Sequence, residues 1–202
     1  MKFLVISDTH GEIEKAAEIY RSLPETDAVI HLGDLEKDAH GLSRLLAADV
    51  ISVKGNMDNG YKKEDAFKTI DTECGKLLLT HGHMQNVKSS LTSLMYLAEE
   101  QNCIAALFGH THIPVCENVN GLYLINPGSL TYPSAGTMPS YALVTTAADG
   151  IAAEIRYYGA DVENEKYDEG DKSKKNPQKP AGTVPKVQGG FLRNLLNNSD
   201  RF

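Results

Sequence analysis

Seven side chains of metal-binding type recur along this 202-residue chain at a regular interval: Asp8 with His10, then Asp34, Asn56, His81, and His110 with His112. Positions 8, 34, 56, 81 and 110 lie 26, 22, 25 and 29 residues apart. Each interval is close to the roughly 30 residues of a strand-helix-strand unit. The set holds two carboxylates, one amide oxygen and four imidazoles, with no thiolate. Such mixed nitrogen and oxygen donors suit Mn²⁺, Fe²⁺, Zn²⁺ or Ni²⁺ better than Ca²⁺ or a structural cysteine site. Seven ligands are too many for one ion, but with one bridging carboxylate they serve two. Two ions about 3.5–4 Å apart clamp the oxygens of a phosphoryl displacement and bring the pKa of bound water to near 7. The chemistry indicated is hydrolysis of a phosphate ester. The His110-Thr111-His112 pair alone would be ambiguous, since two such rings point to one side of an extended chain but also occur in ordinary turns.

The elements that must position these residues are legible as apolar runs. Phe3–Ile6, Ala28–Ile30, Val50–Val53, Lys76–Leu79 and Ile104–Phe108 read as short buried strands, and each ends just before one of the candidate ligands. In open α/β sheets, sites are built outside the carboxyl ends of strands. Helical spacing of apolar residues marks Glu12–Ser22, Asp38–Ala48 and Ser89–Gln101. Strands alternating with helices predict a largely parallel sheet in this half. Gly33, Gly55 and Gly109 precede three of the ligands, where a β-carbon would obstruct a tight turn.

After Pro114 the rhythm changes. Val115–Asn118, Leu122–Ile125, Tyr141–Thr146 and Ile151–Tyr157 read as strands joined by the turn signals Asn120-Gly121 and Asp149-Gly150. A two-sheet α/β sandwich spanning residues 1–160 accommodates both halves. From about Glu163 the chain becomes charged and rich in Pro, Gly and Lys, so 161–202 reads as a flexible C-terminal tail. Phe191, Leu192, Leu195 and Leu196 within it have the spacing of a short amphipathic helix.

Composition narrows the partners. A formal net charge of -7 argues against an extended nucleic acid, which needs clustered Lys and Arg. The three cysteines stand singly, and MKFLVISDTHG is too short and polar for a signal peptide or membrane span. A cytoplasmic protein acting on a small phosphorylated substrate is expected, with no membrane association and with a homo-oligomer compatible.

The blocks Asp8-x-His10, Gly33-Asp34, Gly55-Asn56, His81 and Gly109-His110-x-His112 resemble the signature of the calcineurin-like metallophosphoesterases. MKFLVISDTHG and Ile125–Leu130 are similar to the small YfcE-like phosphodiesterase branch of that superfamily. The resemblance implies a four-layer α/β/β/α sandwich of two mixed β-sheets. It implies that Asp8, His10 and His112 hold one divalent ion and Asn56, His81 and His110 a second, with Asp34 bridging. Mn²⁺ is favoured, with Ni²⁺, Zn²⁺, Fe²⁺ or Mg²⁺ as alternatives, and a metal-bound hydroxide would attack phosphorus in line. The expected activity is that of a binuclear metal-dependent phosphodiesterase. The alternatives are a phosphomonoesterase or nuclease with the same site, the latter using Lys54, Lys62 and Lys63, or a non-enzymatic interaction module of the same fold.

Two positions depart from the pattern. Many of these enzymes carry histidine after the Gly-Asn pair, whereas here Met57 follows, as in the YfcE-like branch, which also lacks that histidine. General-acid help of the kind such a histidine gives is worth roughly 10²–10⁴-fold, and His83 is the nearest substitute. Tyr132-Pro133-Ser134 stands where Pro followed by Arg is expected, which removes an arginine contact to substrate. Asp58 is assigned to orienting the Asn56 loop or a metal-bound water. His31 reads as a packed or supporting ring, His40 as surface, and Asn126-Pro127-Gly128-Ser129 as a loop at the site's edge.

Overall fold

A computed structural model describes residues 1–160; the expectations for the tail lie outside the described residues. In chain order the elements are β1 (Lys2–Ile6), α1 (Glu14–Ser22), β2 (Ala28–His31), α2 (Glu36–Leu46), β3 (Val50–Ser52), β4 (Lys68–Thr72), β5 (Gly75–Thr80), α3 (Thr92–Glu100), β6 (Cys103–Phe108), β7 (Val115–Val119), β8 (Leu122–Asn126), β9 (Ser140–Ala147) and β10 (Gly150–Tyr157). They form two five-stranded sheets, ordered β10-β9-β1-β2-β3 and β4-β5-β6-β8-β7.

The side chains of β1 show why the sheets stack. Phe3 and Val5 pack with Leu77, Leu79, Ala105, Leu107 and Ile125 of the second sheet, forming the core between the sheets. Leu4 and Ile6 point the other way, against Ala16, Ala17 and Leu42 of α1 and α2. The same alternation puts Leu78, Ala106 and Phe108 on the outer face of the second sheet, under Leu94 and Ala98 of α3. Strands apolar on both faces demand cover on both, and four layers, α/β/β/α, supply it. Each fully buried leucine contributes roughly 1.5–3 kcal/mol.

The parallel-sheet expectation holds only at the centres. β1, β2 and β3 are mutually parallel, as are β5, β6 and β8. β9, β10, β4 and β7 pair antiparallel at the margins. The five ligand-bearing strand ends therefore come from two stacked sheets rather than from one edge.

β4 was not anticipated: KTIDT is mostly exposed, with Ile70 half-buried at the sheet edge, so the sequence carries little apolar signal there. Helix α2 begins two residues earlier than its periodicity suggested, because the Asp58 carboxylate, from a distant loop, accepts the Glu36 N–H at 2.6 Å. That cap is tertiary and leaves no local mark. The helix stops where Ala47 turns left-handed, with φ 50°. The Asn120-Gly121 turn forms as expected, with φ of 54° and 94°.

Candidate metal centre

The loops after β1, β2, β3, β5 and β6 converge. Asp8, His10 and His112 form one group whose candidate donor atoms all lie within 4.8 Å of one another, and Asp8, Asp34 and His81 form a second. Asn56 joins the second group, its Oδ1 3.1 Å from His81 Nε2. His110 sits beside it, ring centroid 4.9 Å from that of His81. Asp34 spans the two halves, with Oδ2 3.7 Å from His10 Nδ1 and Oδ1 3.6 Å from His81 Nε2. All seven expected residues thus come together.

Hydrogen bonds decide which ring nitrogens face inward. His81 Nδ1–H donates to the Leu32 carbonyl at 2.8 Å, which turns Nε2 inward. Asn56 Oδ1 lies 3.1 Å from that inward-facing Nε2. The same arrangement recurs where His112 Nδ1–H donates to the Tyr132 carbonyl at 2.7 Å and Nε2 lies 3.2 Å from Asp8 Oδ1. Backbone carbonyls that fix tautomers in this way are typical of metal-binding histidines. Asp8 Oδ1 and His10 Nε2 are buried without a hydrogen-bond partner. Buried polar atoms left unpaired are costly unless a cation satisfies them. These residues fit divalent metal.

The electrostatics agree. Burial raises the Asp8 pKa, but the close approach of His112, with the His81 charge and the Ser7 hydrogen bond, outweighs it, giving about 2. Asp8 is accordingly an anion at neutral pH, and its carboxylate, 3.2 Å away, pushes the His112 imidazole above its ordinary value: the carboxylate demands positive charge beside it. Burial, with the nearby His81 and Lys88 charges, holds His110 down at about 4, so that ring is neutral and free to ligate.

Backbone strain marks the centre as well. Asp8, His10, Asp34, His110 and His112 all have positive φ, from 47° to 111°. For residues other than glycine such conformations cost on the order of 1–3 kcal/mol each and cluster at functional sites. Periodicity and composition gave no sign of this.

A supporting layer was also only partly visible in the sequence. Fully buried His31 accepts from Gly33 N–H at Nδ1, so Nε2–H donates to Thr9 Oγ1 at 2.9 Å. Thr9 in turn donates to Asp38, whose carboxylate also accepts the Gly11 N–H. This relay fixes the loop that carries His10. Ser7 Oγ donates to Asp8 Oδ2 at 2.6 Å. Asn126 donates to the Gly109 carbonyl, and Ser129 Oγ to the Asp8 carbonyl, so the Asn-Pro-Gly-Ser loop braces both ligand loops from beneath. Gly109 is required by close approach: a β-carbon there would meet Ser7 Oγ at 2.0 Å.

Asp58 stands outside both donor groups. Its carboxylate ties Gly55 N–H (2.8 Å) to the start of α2 (2.6 Å), which orients the Asn56 loop. His83 packs edge-on against Tyr61, 5.4 Å from His81 and 6.1 Å from His110 by ring centroids. Burial, reinforced by His81, lowers its pKa. His40 is exposed. Lys54 lies between Glu36 and Asp65 and is neutralised there, which weakens the basic track a nuclease would need. No described helix is long and apolar enough to cross a membrane.

Residues 1–149 match the calcineurin-like phosphoesterase superfamily domain. The protein named probable metallophosphoesterase YsnB, from Bacillus subtilis, is 38% identical over 161 residues, covering 78% of this chain and 90% of its own. Phosphodiesterase YfcE of Escherichia coli is 27% identical, over 71% of this chain and 87% of its own. The solved structure of an archaeal phosphodiesterase superposes with a TM-score of 0.60 at 26% identity, covering 77% of this chain and all of the other. Fold, donor set and similarity agree, and the chain is a member of the calcineurin-like phosphoesterase superfamily.

Proposed function

We propose that this protein is a metallophosphodiesterase with a two-metal centre. Asp8, His10 and His112 would hold one ion and Asn56, His81 and His110 the other, with Asp34 between them. Mn²⁺ is the favoured metal. The observation that carries this reading is the convergence of Asp8 with His10 and His112, and of Asp8 with Asp34 and His81, into two donor groups in which Asp8 Oδ1 and His10 Nε2 are buried without a hydrogen-bond partner. An interaction module of the same fold would have no use for it. When bound, a pair of divalent ions supplies a nucleophile at neutral pH and positive charge for the phosphoryl oxygens.

The chain's own residues do the rest. The Leu32 and Tyr132 carbonyls lock two imidazoles with Nε2 inward, and Asp58 and the His31-Thr9-Asp38 relay hold the loops in register. Met57 cannot protonate a leaving alcohol, and His83, held neutral by burial, accepts or relays a proton at neutral pH rather than donating from a standing imidazolium. Substrates with good leaving groups should therefore be favoured. A small phosphodiester in a reducing cytoplasm fits the site and the three free cysteines.

The test is hydrolysis of bis-p-nitrophenyl phosphate by Mn²⁺-loaded protein, with p-nitrophenyl phosphate for comparison. Diester turnover should exceed monoester turnover, and Asp34→Asn or His81→Ala should abolish it and lower bound metal. Variants as active as the parent would overturn the proposal.

A further inference from the structure

Seven large hydrophobic side chains are exposed among the described residues, and three of them lie on the segments that carry or brace the metal-site residues. Met57 (59% exposed) directly follows Asn56, Met84 (54%) comes three residues after His81, and Tyr132 (60%) packs edge-on to His10, with ring centroids 5.2 Å apart. Tyr132 therefore adjoins the His10 and His112 half of the centre. The two methionines are carried by the Asn56 and His81 loops.

Folding gains little from leaving these side chains in water, yet the backbone of Tyr132 is fixed with care. Its N–H donates to Ser129 Oγ at 3.0 Å and its carbonyl accepts from His112 Nδ1. A ring on so rigid a mount presents a face at low entropic cost, as aromatic anchors in binding sites do. Among the described side chains, Ser134 is uncharged, Lys54 is tied to Glu36 and Asp65, and Lys88 is a cation whose field reaches both His110 and His112. That cation suits the phosphate. Three separate side chains on different loops do not make the continuous apolar groove an acyl chain would need. A tyrosine face and thioethers do suit a flat ring, by stacking and sulfur-aromatic contact.

Building on the phosphodiesterase reading, we propose that Tyr132, with Met57 and Met84, forms a stacking site that selects diesters whose retained alcohol carries a planar aromatic ring, of aryl or nucleobase type. Tyr132 is a specificity residue and takes no part in bond breaking.

The experiment holds the leaving group constant. Methyl p-nitrophenyl phosphate and phenyl p-nitrophenyl phosphate are compared on Mn²⁺-loaded protein. The parent should favour the phenyl ester in kcat/KM, chiefly through KM. Tyr132→Ala should reduce that phenyl-over-methyl preference by about 2–13-fold, the worth of one aromatic pair, and Tyr132→Phe should keep it. A turnover-independent arm measures calorimetric binding of phenylphosphonate and methylphosphonate to the same proteins, where the affinity ratio should fall in Tyr132→Ala alone. An unchanged preference and an unchanged affinity ratio in Tyr132→Ala would overturn the stacking site. If the parent hydrolyses neither diester, the phosphodiesterase reading fails, and the phosphonate ratio still decides whether Tyr132 stacks.

Discussion

Replacing Gly55 by alanine adds one carbon at the point where two ligand loops touch. That carbon would lie 2.5 Å from Asp34 Cα, 2.8 Å from Asp34 N and 2.9 Å from Asp34 Oδ1. Carbon atoms in contact prefer about 3.5–4.0 Å, so one backbone must retreat by about 1 Å. Neither can do so cheaply: Gly55 N–H is held by Asp58 and Asp34 Oδ1 by the Met57 N–H. Gly55 is not in the left-handed region. On chain entropy alone, alanine would therefore stabilise by about 0.4–1 kcal/mol. Overpacking costs about 1–3 kcal/mol, and the backbone contact places this site at the upper end, so after the entropic gain a net loss of about 2–2.6 kcal/mol is expected. At roughly 2–4 °C per kcal/mol for a chain of this size, the melting temperature should fall by about 4–10 °C. A 1 Å displacement of a positioned group costs about 100-fold in rate, so diester hydrolysis should fall by that order and Mn²⁺ affinity with it. Gly41→Ala is the counter-experiment. It lies within α2 and meets only the flexible end of Ile13, so it should stabilise by up to about 1 kcal/mol. Thermal melting and metal titration of both variants check the reasoning, and a Gly55→Ala protein with parental melting and parental Mn²⁺ affinity would refute it.

Three further outcomes follow from the same geometry. Burial lowers His31 from 6.5 to about 4, so between those values the unfolded chain binds the proton and the folded one does not; the stability this confers is complete above pH 6.5 and falls by about 3 kcal/mol as pH drops to 4. Urea midpoints measured across that window should slope less steeply in His31→Asn, and parallel curves would count against the buried neutral ring. Asp58→Ala removes two backbone hydrogen bonds, one of them the cap of α2, and should cost about 1–2 kcal/mol while weakening Mn²⁺ binding; unaltered metal affinity would separate the loop from the centre. Mn²⁺ at 100 times its dissociation constant should stabilise the parent by about 2.7 kcal/mol, and calorimetry should show that increment sharply reduced in Asp34→Asn.

Much of the site was legible because ligand chemistry restricts residue type. Asp8, His10, Asp34, Asn56, His81, His110 and His112 could be picked out by type and by their place after apolar runs, and all seven converge. What escaped was carried by residues that look ordinary in sequence. Ser7, Thr9, Asp38 and Ser129 become significant through partners 1 to 121 positions away. Strand β4 escaped because an edge strand buries too little to need an apolar pattern, and the start of α2 because its cap arrives from Asp58.

By itself the sequence determined the donor inventory, the repeat that delivers it to strand ends, and the double-faced apolar strands that require a layered sandwich. These are local properties, set by residue type and by the period of side chains along a strand. Only the tertiary structure decided that the ligands come from two stacked sheets, which nitrogen of His81 and His112 faces inward, and that five ligand residues sit at positive φ. Those features depend on contacts such as His110 N–H with Asp8, across 102 residues. A tautomer or a strained dihedral is held by whatever packs against it, and that is fixed only when the whole chain has closed around the site.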